Sequence, residues 1–239
     1  MKIYFACPTG KRRDMILNNH GFEFGACLTR DIINNVTNRK MHWFFDNGCY
    51  SDWKKKVAFD AEKFVNKLFK IESEIRFGKP MDDTIDFSTL KKGESQKYRL
   101  PCPDFVVCPD LPAKGNQSLM FSQQWMDYLE KRFPNFDYYL AVQDGMDIEL
   151  VEKEFKKNRF KGCFVGGTKK WKIKEAAAYI ELANKYNLPT HIGGIGSRKL
   201  TIWAKSIGAN SVDSGLAMIH SAHLNDILNI KDDIFWQVA

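Results

Sequence analysis

Three aspartates close short apolar runs in this chain. Asp46 ends His-Trp-Phe-Phe-Asp at 42–46, Asp110 follows Phe-Val-Val-Cys-Pro at 105–109, and Asp213 ends Ser-Val-Asp at 211–213. A fourth run, 138–143, closes on the amide of Gln143 ahead of Asp144-Gly145, and two more end on Gly166-Gly167 and Gly193-Gly194. Carboxylates drawn into one partly dry pocket repel each other, which raises one pKa and divides the set into an acid and a nucleophile or base. Cleaving an N- or O-glycosidic bond through a covalent intermediate needs that division: one carboxylate at the anomeric carbon and another to protonate the leaving group. An Asp–Gln pair fixes donors and acceptors in one plane and suits the edge of a purine-like base, and glycines beside it let a flat ligand approach the backbone. Each residue also has an ordinary reading. Asp46-Asn47-Gly48 and Asp144-Gly145 are turn chemistry, Asp110 lies between two prolines, Gln143 can bond backbone, and Asp213 can cap a helix at Gly215-Leu216-Ala217-Met218.

For these residues to meet, the elements carrying them must converge. Eight runs read as strands: Lys2–Cys7, Phe22–Leu28, His42–Asp46, Phe105–Asp110, Tyr138–Gln143, Cys163–Gly167, Thr190–Gly194 and Ser211–Asp213. Helical patterns at 118–132, 148–157, 174–186 and 197–207 lie between the later ones. The alternation predicts parallel β/α units, and eight of them fit a (β/α)8 TIM-type barrel over residues 1–239, with a doubly wound open sheet as runner-up. In such a barrel the functional groups gather at the carboxyl ends of the strands, where the three aspartates stand. The polar, lysine-rich stretch 78–103 has no period and reads as an insertion.

The chain has 239 residues, 44% hydrophobic and 27% charged, which excludes a disordered or fibrous class. No run approaches a membrane span, and the charges in Met-Lys-Ile-Tyr-Phe-Ala-Cys-Pro-Thr-Gly-Lys-Arg-Arg follow the apolar stretch, the reverse of a secretory signal, so a cytoplasmic protein is expected. Six scattered cysteines without a Cys-x-x-Cys pair read as reduced thiols, and His220 and His223 have no thiolate nearby in sequence, so no metal is expected. A net charge of +7 favours a polyanionic partner. The run Lys169-Lys170-Trp171-Lys172-Ile173-Lys174 follows the Gly166-Gly167 strand end, and Arg198 and Lys199 follow the seventh strand. They suit phosphate contacts, with Trp171 as a stacking or wedging ring for a base drawn out of a duplex. Lys11-Arg12-Arg13 is placed to join them.

Six segments, taken in order, resemble the motif series of the tRNA-guanine (queuine) transglycosylase superfamily. They are Asp46-Asn47-Gly48-Cys49-Tyr50, Cys108-Pro109-Asp110, Ala141-Val142-Gln143-Asp144-Gly145, Phe164-Val165-Gly166-Gly167, His191-Ile192-Gly193-Gly194-Ile195-Gly196 and Ser211-Val212-Asp213-Ser214. The resemblance implies a (β/α)8 barrel and an exchange of bases without a cofactor. It makes Asp213 the nucleophile at C1′, Asp46 the residue that moves protons on the departing and arriving base, and Asp110 and Gln143 the base-recognition pair. Gly166, Gly167 and Gly194 become pocket lining. The 26 residues after Asp213 (214–239) carry no cysteine, whereas the family's tRNA enzymes bear a zinc site of three cysteines and a histidine there. The chain therefore resembles more closely the compact branch that replaces guanine in DNA by a 7-deazaguanine such as preQ0, in bacteria or virus-infected bacterial cells. Expected partners are DNA, the free 7-deazaguanine base, and a second protein where targeting or strand opening needs one. The rivals are a tRNA-directed exchange by the same mechanism, a catalytically silent nucleic-acid-binding barrel, and a barrel lyase or aldolase using a lysine, the last weakened because no strand run ends in Lys.

Overall fold

In a computed structural model, residues 1–19, 23–31, 41–80 and 94–238 are described. Eight strands, β1 (Lys2–Ala6), β2 (Phe24–Thr29), β3 (His42–Asp46), β4 (Val106–Val107), β5 (Tyr138–Val142), β6 (Gly162–Val165), β7 (Thr190–Ile192) and β8 (Ser211–Ser214), pair in sequence order. All pairings are parallel, and β8 returns to β1 through Ile3 opposite Val212 and Tyr4 opposite Asp213. The barrel is closed, as the alternation of apolar runs and helices predicts, and the open doubly wound sheet is excluded.

The strands are shorter than the apolar runs. β4 keeps two residues, because Pro109 has no N–H to continue the ladder. Phe22 lies outside the described residues, and β2 extends instead to Thr29. The helices expected at 118–132, 148–157 and 197–207 form as Asn116–Arg132, Ile148–Lys156 and Arg198–Ser206, the last two capped by Asp147 and Ser197 side chains. The helix expected from Lys174 starts at Lys169, because the Thr168 hydroxyl accepts from the Trp171 N–H and caps it there. Helices at Gly10–Leu17, Cys49–Lys55 and Ala61–Phe77 add to those read from the sequence. Of the polar insertion at 78–103, residues 81–93 lie outside the described residues. Its two flanks are joined, with Lys79 N–H donating to Lys97 O (2.8 Å) and Arg99 N–H to Lys79 O (2.6 Å). Among the described residues no helix is long and apolar enough to cross a membrane.

The barrel interior is filled with rings rather than branched aliphatics. Tyr4, Phe44, Phe105, Tyr139 and Phe164 form one cluster with Cys27, Val107 and Ala141, and Phe105 stacks on Tyr139 at 4.0 Å and on Phe44 at 4.5 Å. Rings this large fit because glycines stand opposite. A Cβ at Gly25 would lie 2.4 Å from the Tyr4 ring, and one at Gly162 would lie 2.4 Å from Tyr139. A second, larger core between strands and helices holds the outward residues, among them Ile3, Phe5, Trp43, Leu140, Val165 and Val212. The aromatic plug fills the barrel from below, so the cavity at its carboxyl end has an apolar floor that includes Val107 and Phe164.

Candidate active site

At the carboxyl ends of the strands lies a cavity of about 410 Å³. Asp46, Asp110, Gln143, Gly166, Gly167, Gly194 and Asp213 all line it, with Phe164 as a wall. Six stretches of chain thus deliver seven sequence-selected residues to one space.

Asp213 comes from β8, and both of its contacts are on one oxygen. Gly194 N–H donates to Oδ2 at 3.1 Å, and His191 Nε2 lies 3.1 Å from the same atom. Among the described residues nothing donates to Oδ1, so that oxygen keeps its acceptor capacity. His191 is buried inside the barrel, stacked on Phe164 at 5.0 Å, with Nδ1 2.9 Å from Ser211 Oγ. Burial lowers its pKa against the opposing pull of Asp213, which favours the neutral ring. When the Ser211 hydroxyl donates to Nδ1, the ring carries its proton on Nε2 and donates it to Asp213. His191 has no role in the sequence reading, although it precedes the glycines by two residues. Strand alternation turns it inward and Ile192 outward, and that was its only signal.

Asp46 closes β3 and Asp110 follows β4. Burial, chiefly, pushes the Asp46 carboxyl up to about 7, with Asp213 and Asp110 adding to the rise. It accepts from Gly48 N–H at 2.7 Å. Arg30, the nearby cation that works against this shift, is held by Asp52 in a buried ion pair. Asp110 is raised to about 6, again by burial first, with hydrogen bonds from Asn47 and Gln143 opposing. Asn47 Nδ2 donates to Asp110 Oδ1 (2.9 Å) and to Cys108 O (2.9 Å), and Gln143 Nε2 donates to Asp110 Oδ2 (2.7 Å). At neutral pH this places a carboxyl that is about half protonated beside one that is mostly ionised, the split that paired acid–base work uses.

Gln143 is buried and saturated on its donor side. Nε2 also bonds Ser118 Oγ at 2.8 Å, and Oε1 accepts from Ala113 N–H at 2.7 Å. In this state it clamps Asp110 and the 111–113 turn, and its remaining acceptor capacity is what it offers the cavity. Asp144 accepts from both the N–H and the hydroxyl of Thr168 at 2.7 Å, tying the turn after β5 to the start of helix Lys169–Lys185. Gly167 must be glycine: at φ +77° a Cβ would meet Asp144 Oδ2 at 2.5 Å and the Trp171 ring at 2.8 Å.

The basic set separates. Lys169 and Lys170 are exposed at the mouth, and Lys169 lines the cavity. Lys174 is exposed but pairs with its neighbour Glu175 at 2.7 Å. Arg198 pairs with Asp233. Two expectations need correction. Lys172 is buried, with its Nζ donating to Gly193 O inside the cavity, because the first helical turn directs it back over the strand ends and not to solvent. Trp171 is no projecting wedge, since it packs on the large core with its ring 5.4 Å from Tyr179. The exposed rings at the mouth are Tyr50 and Trp53, which line the cavity 5.6 Å apart and tilted by 31°, with Lys54 Nζ 5.0 Å from the Tyr50 centroid. The sequence signal for Trp53 was an aromatic pair one helical turn apart running into Lys54-Lys55-Lys56. Arg12 turns elsewhere and donates to Ile219 O at 3.2 Å.

His220 and His223 pack edge to face at 5.8 Å. Among the described residues no three His, Cys, Asp or Glu side chains form a group that could hold a metal ion. No family model and no curated protein matches the chain. Among solved structures it is similar to the crystal structure of RipC from Yersinia pestis, at 10% identity and a TM-score of 0.49, over 100% of this chain and 97% of that one. A likeness that distant carries no argument about activity.

Proposed function

We propose that the protein exchanges guanine in DNA for a 7-deazaguanine base through a covalent aspartyl-glycosyl intermediate. The observation that carries this reading is the convergence of Asp46, Asp110, Gln143, Gly166, Gly167, Gly194 and Asp213 on one cavity, since these seven residues come from six separate segments and each was selected for a role in that chemistry. Asp213 attacks C1′ with Oδ1 while His191 and Gly194 N–H hold Oδ2 and keep the carboxylate oriented. The glycosidic bond to the base breaks, and Asp46, with its carboxyl at about 7, supplies the proton that the leaving guanine needs. Asp110, mostly ionised and gripped by Asn47 and Gln143, accepts from the donor edge of a guanine-type base. The arriving base gives its proton to Asp46 and reopens the ester, so the glycosidic bond is re-formed without a cofactor. Gly166 and Gly167 leave the backbone open to a flat ring, and the exposed Lys169 and Lys170 suit the phosphates of the strand carrying it.

The test is direct. The protein is incubated with mass-tagged 7-cyano-7-deazaguanine and, separately, duplex DNA, single-stranded DNA and tRNA, and the nucleic acids are then digested to nucleosides. Deazaguanine nucleoside from DNA is the expected product. Its appearance only from tRNA would transfer the reading to tRNA exchange, and its absence from all three would remove the exchange reading.

A further inference from the structure

Among the described residues Lys172 is the one buried lysine, and it is buried in the cavity that holds Asp213. It reaches this position from the helix after β6, which is why no strand run ends in the lysine that imine chemistry would need. A single peptide group separates it from Asp213: Lys172 Nζ donates to the carbonyl of Gly193, while the N–H of that same Gly193–Gly194 peptide donates to Asp213 Oδ2 at 3.1 Å. The missing side chain at Gly194 keeps the approach open, since a Cβ there would lie 3.4 Å from Nζ. An ammonium has three donors, and Gly193 takes one of them. Burial lowers the Lys172 pKa, with Asp213 and Asp144 opposing, which enriches the neutral amine that attacks carbonyls.

We infer that Lys172 forms an imine with the C1′ aldehyde of an abasic deoxyribose in this cavity, giving the protein a strand-incising activity on abasic DNA. The inference rests on the reading above only in taking DNA as what enters the cavity. The amine adds to C1′ of the ring-opened sugar and water leaves, forming the imine. Loss of the C2′ proton to a carboxylate, with Asp213 placed across the peptide to take it, expels the 3′ phosphate as a monoester, so the downstream strand keeps a 5′-phosphate. Water then hydrolyses the imine and returns the amine, and no oxidant or reductant is consumed. The abasic sugar is also what the Asp213 ester would leave if water arrived in place of a base.

The experiment uses the full chain and a duplex oligonucleotide carrying one abasic site, with sodium borohydride to reduce the imine to a stable amine. The expected result is a protein–DNA adduct that maps by peptide mass spectrometry to Lys172, and incision in the absence of borohydride. Lys172→Gln should lower both by about a hundredfold. Because Lys172 also braces the Gly193–Gly194 turn, Lys172→Arg serves as the second variant. It keeps the cation and a donor but cannot form the imine, so it must lose the adduct while retaining the fold by circular dichroism. No adduct, an adduct mapping to other lysines, or undiminished trapping in Lys172→Arg would overturn the inference. The abasic site is supplied ready-made, so trapping does not depend on base exchange. Exchange without an adduct sinks the imine alone, and an adduct without exchange sinks the exchange reading alone.

Discussion

At the amino end of the barrel Asp104 is met by the Tyr4 hydroxyl, by Lys2 Nζ at 3.4 Å and by His42 Nδ1 at 3.4 Å. At the carboxyl end Asp46, Asp110 and Asp213 share one cavity and mainly receive backbone N–H groups, amides and a neutral imidazole. Arg30, which could neutralise Asp46, is held by Asp52 instead. The same side chain in the same barrel is thus met by a lysine and a hydroxyl at one end, and at the other shares a cavity with further carboxylates, where the one buried lysine among the described residues, Lys172, is engaged by Gly193 O. Carboxylates that serve the fold are surrounded by cations and hydroxyls, and a group kept with a raised pKa in a cavity is one that the fold tolerates for chemistry.

The largest expected effect is at Asp213. Asp213→Asn removes the nucleophile and should lower base exchange by several orders of magnitude while leaving the thermal transition near that of the wild type. Near-normal turnover, read by incorporation of the tagged base, would take Asp213 out of the chemistry and erase the contrast between the two ends. Asp46→Asn comes next, with an expected loss of roughly 10²–10⁴-fold from the missing proton donor. In the wild type the step that needs this acid should fall as pH rises through about 7, and in the variant that limb should be gone. An unchanged pH profile would return Asp46 to turn chemistry.

The amino end should behave in the opposite way. Asp104→Asn weakens the bonds to Tyr4, Lys2 and His42 and is expected to cost about 1–2 kcal/mol of stability in denaturant titrations with exchange retained. A collapse of exchange in a folded variant would break the comparison. The pH dependence of stability sharpens it. Asp46 and Asp110 hold protons up to about 7 and about 6 when folded, whereas an unfolded aspartate releases its proton near pH 4. Between these limits the native state binds more protons than the unfolded one, so stability is fully present below about pH 4 and is lost as pH rises through 6 to 7. Asp46→Asn should flatten that decline in melting scans taken from pH 4 to 8. The smallest effect is expected at the mouth. Lys169→Ala with Lys170→Ala should weaken DNA binding alike for all sequences and reduce the salt slope by about 0.9 for each lost phosphate contact. An unchanged slope would place the docking surface elsewhere.

Much of the frame is written locally. Alternation of short apolar runs with 3.6-period segments marks the parallel units, and the turns that follow each run mark the strand ends, so the sequence alone places Asp46, Asp110 and Asp213 at one mouth. Helix Ala61–Phe77 was also encoded, by Asp60 as its cap and by Phe64, Leu68 and Ile71 on one face, although its polar composition hides it among lysines and glutamates. The early start of helix Lys169–Lys185 is a capping effect of one hydroxyl, which the threonine alone does not announce.

Other features depend on partners distant in the chain. Lys172 reads as surface charge in a basic run and becomes a cavity residue only because Gly193 O, 21 positions away, lies within reach of Nζ. Trp171 leaves its expected place for the same reason: it finds Tyr179 and the core, while Trp53, which the basic run does not include, stands at the rim beside Tyr50. Residue types, their order and the periodicity that sets eight parallel strands belong to the sequence, because backbone geometry and side-chain alternation act over a few neighbours. Which carboxyl is dry, which cation is already paired and which oxygen of Asp213 is free belong to the tertiary structure. Desolvation and hydrogen bonding act over a few ångströms in space, and most of the groups concerned are distant in the chain, 19 residues apart for Gly194 and Asp213 and 63 for Asn47 and Asp110.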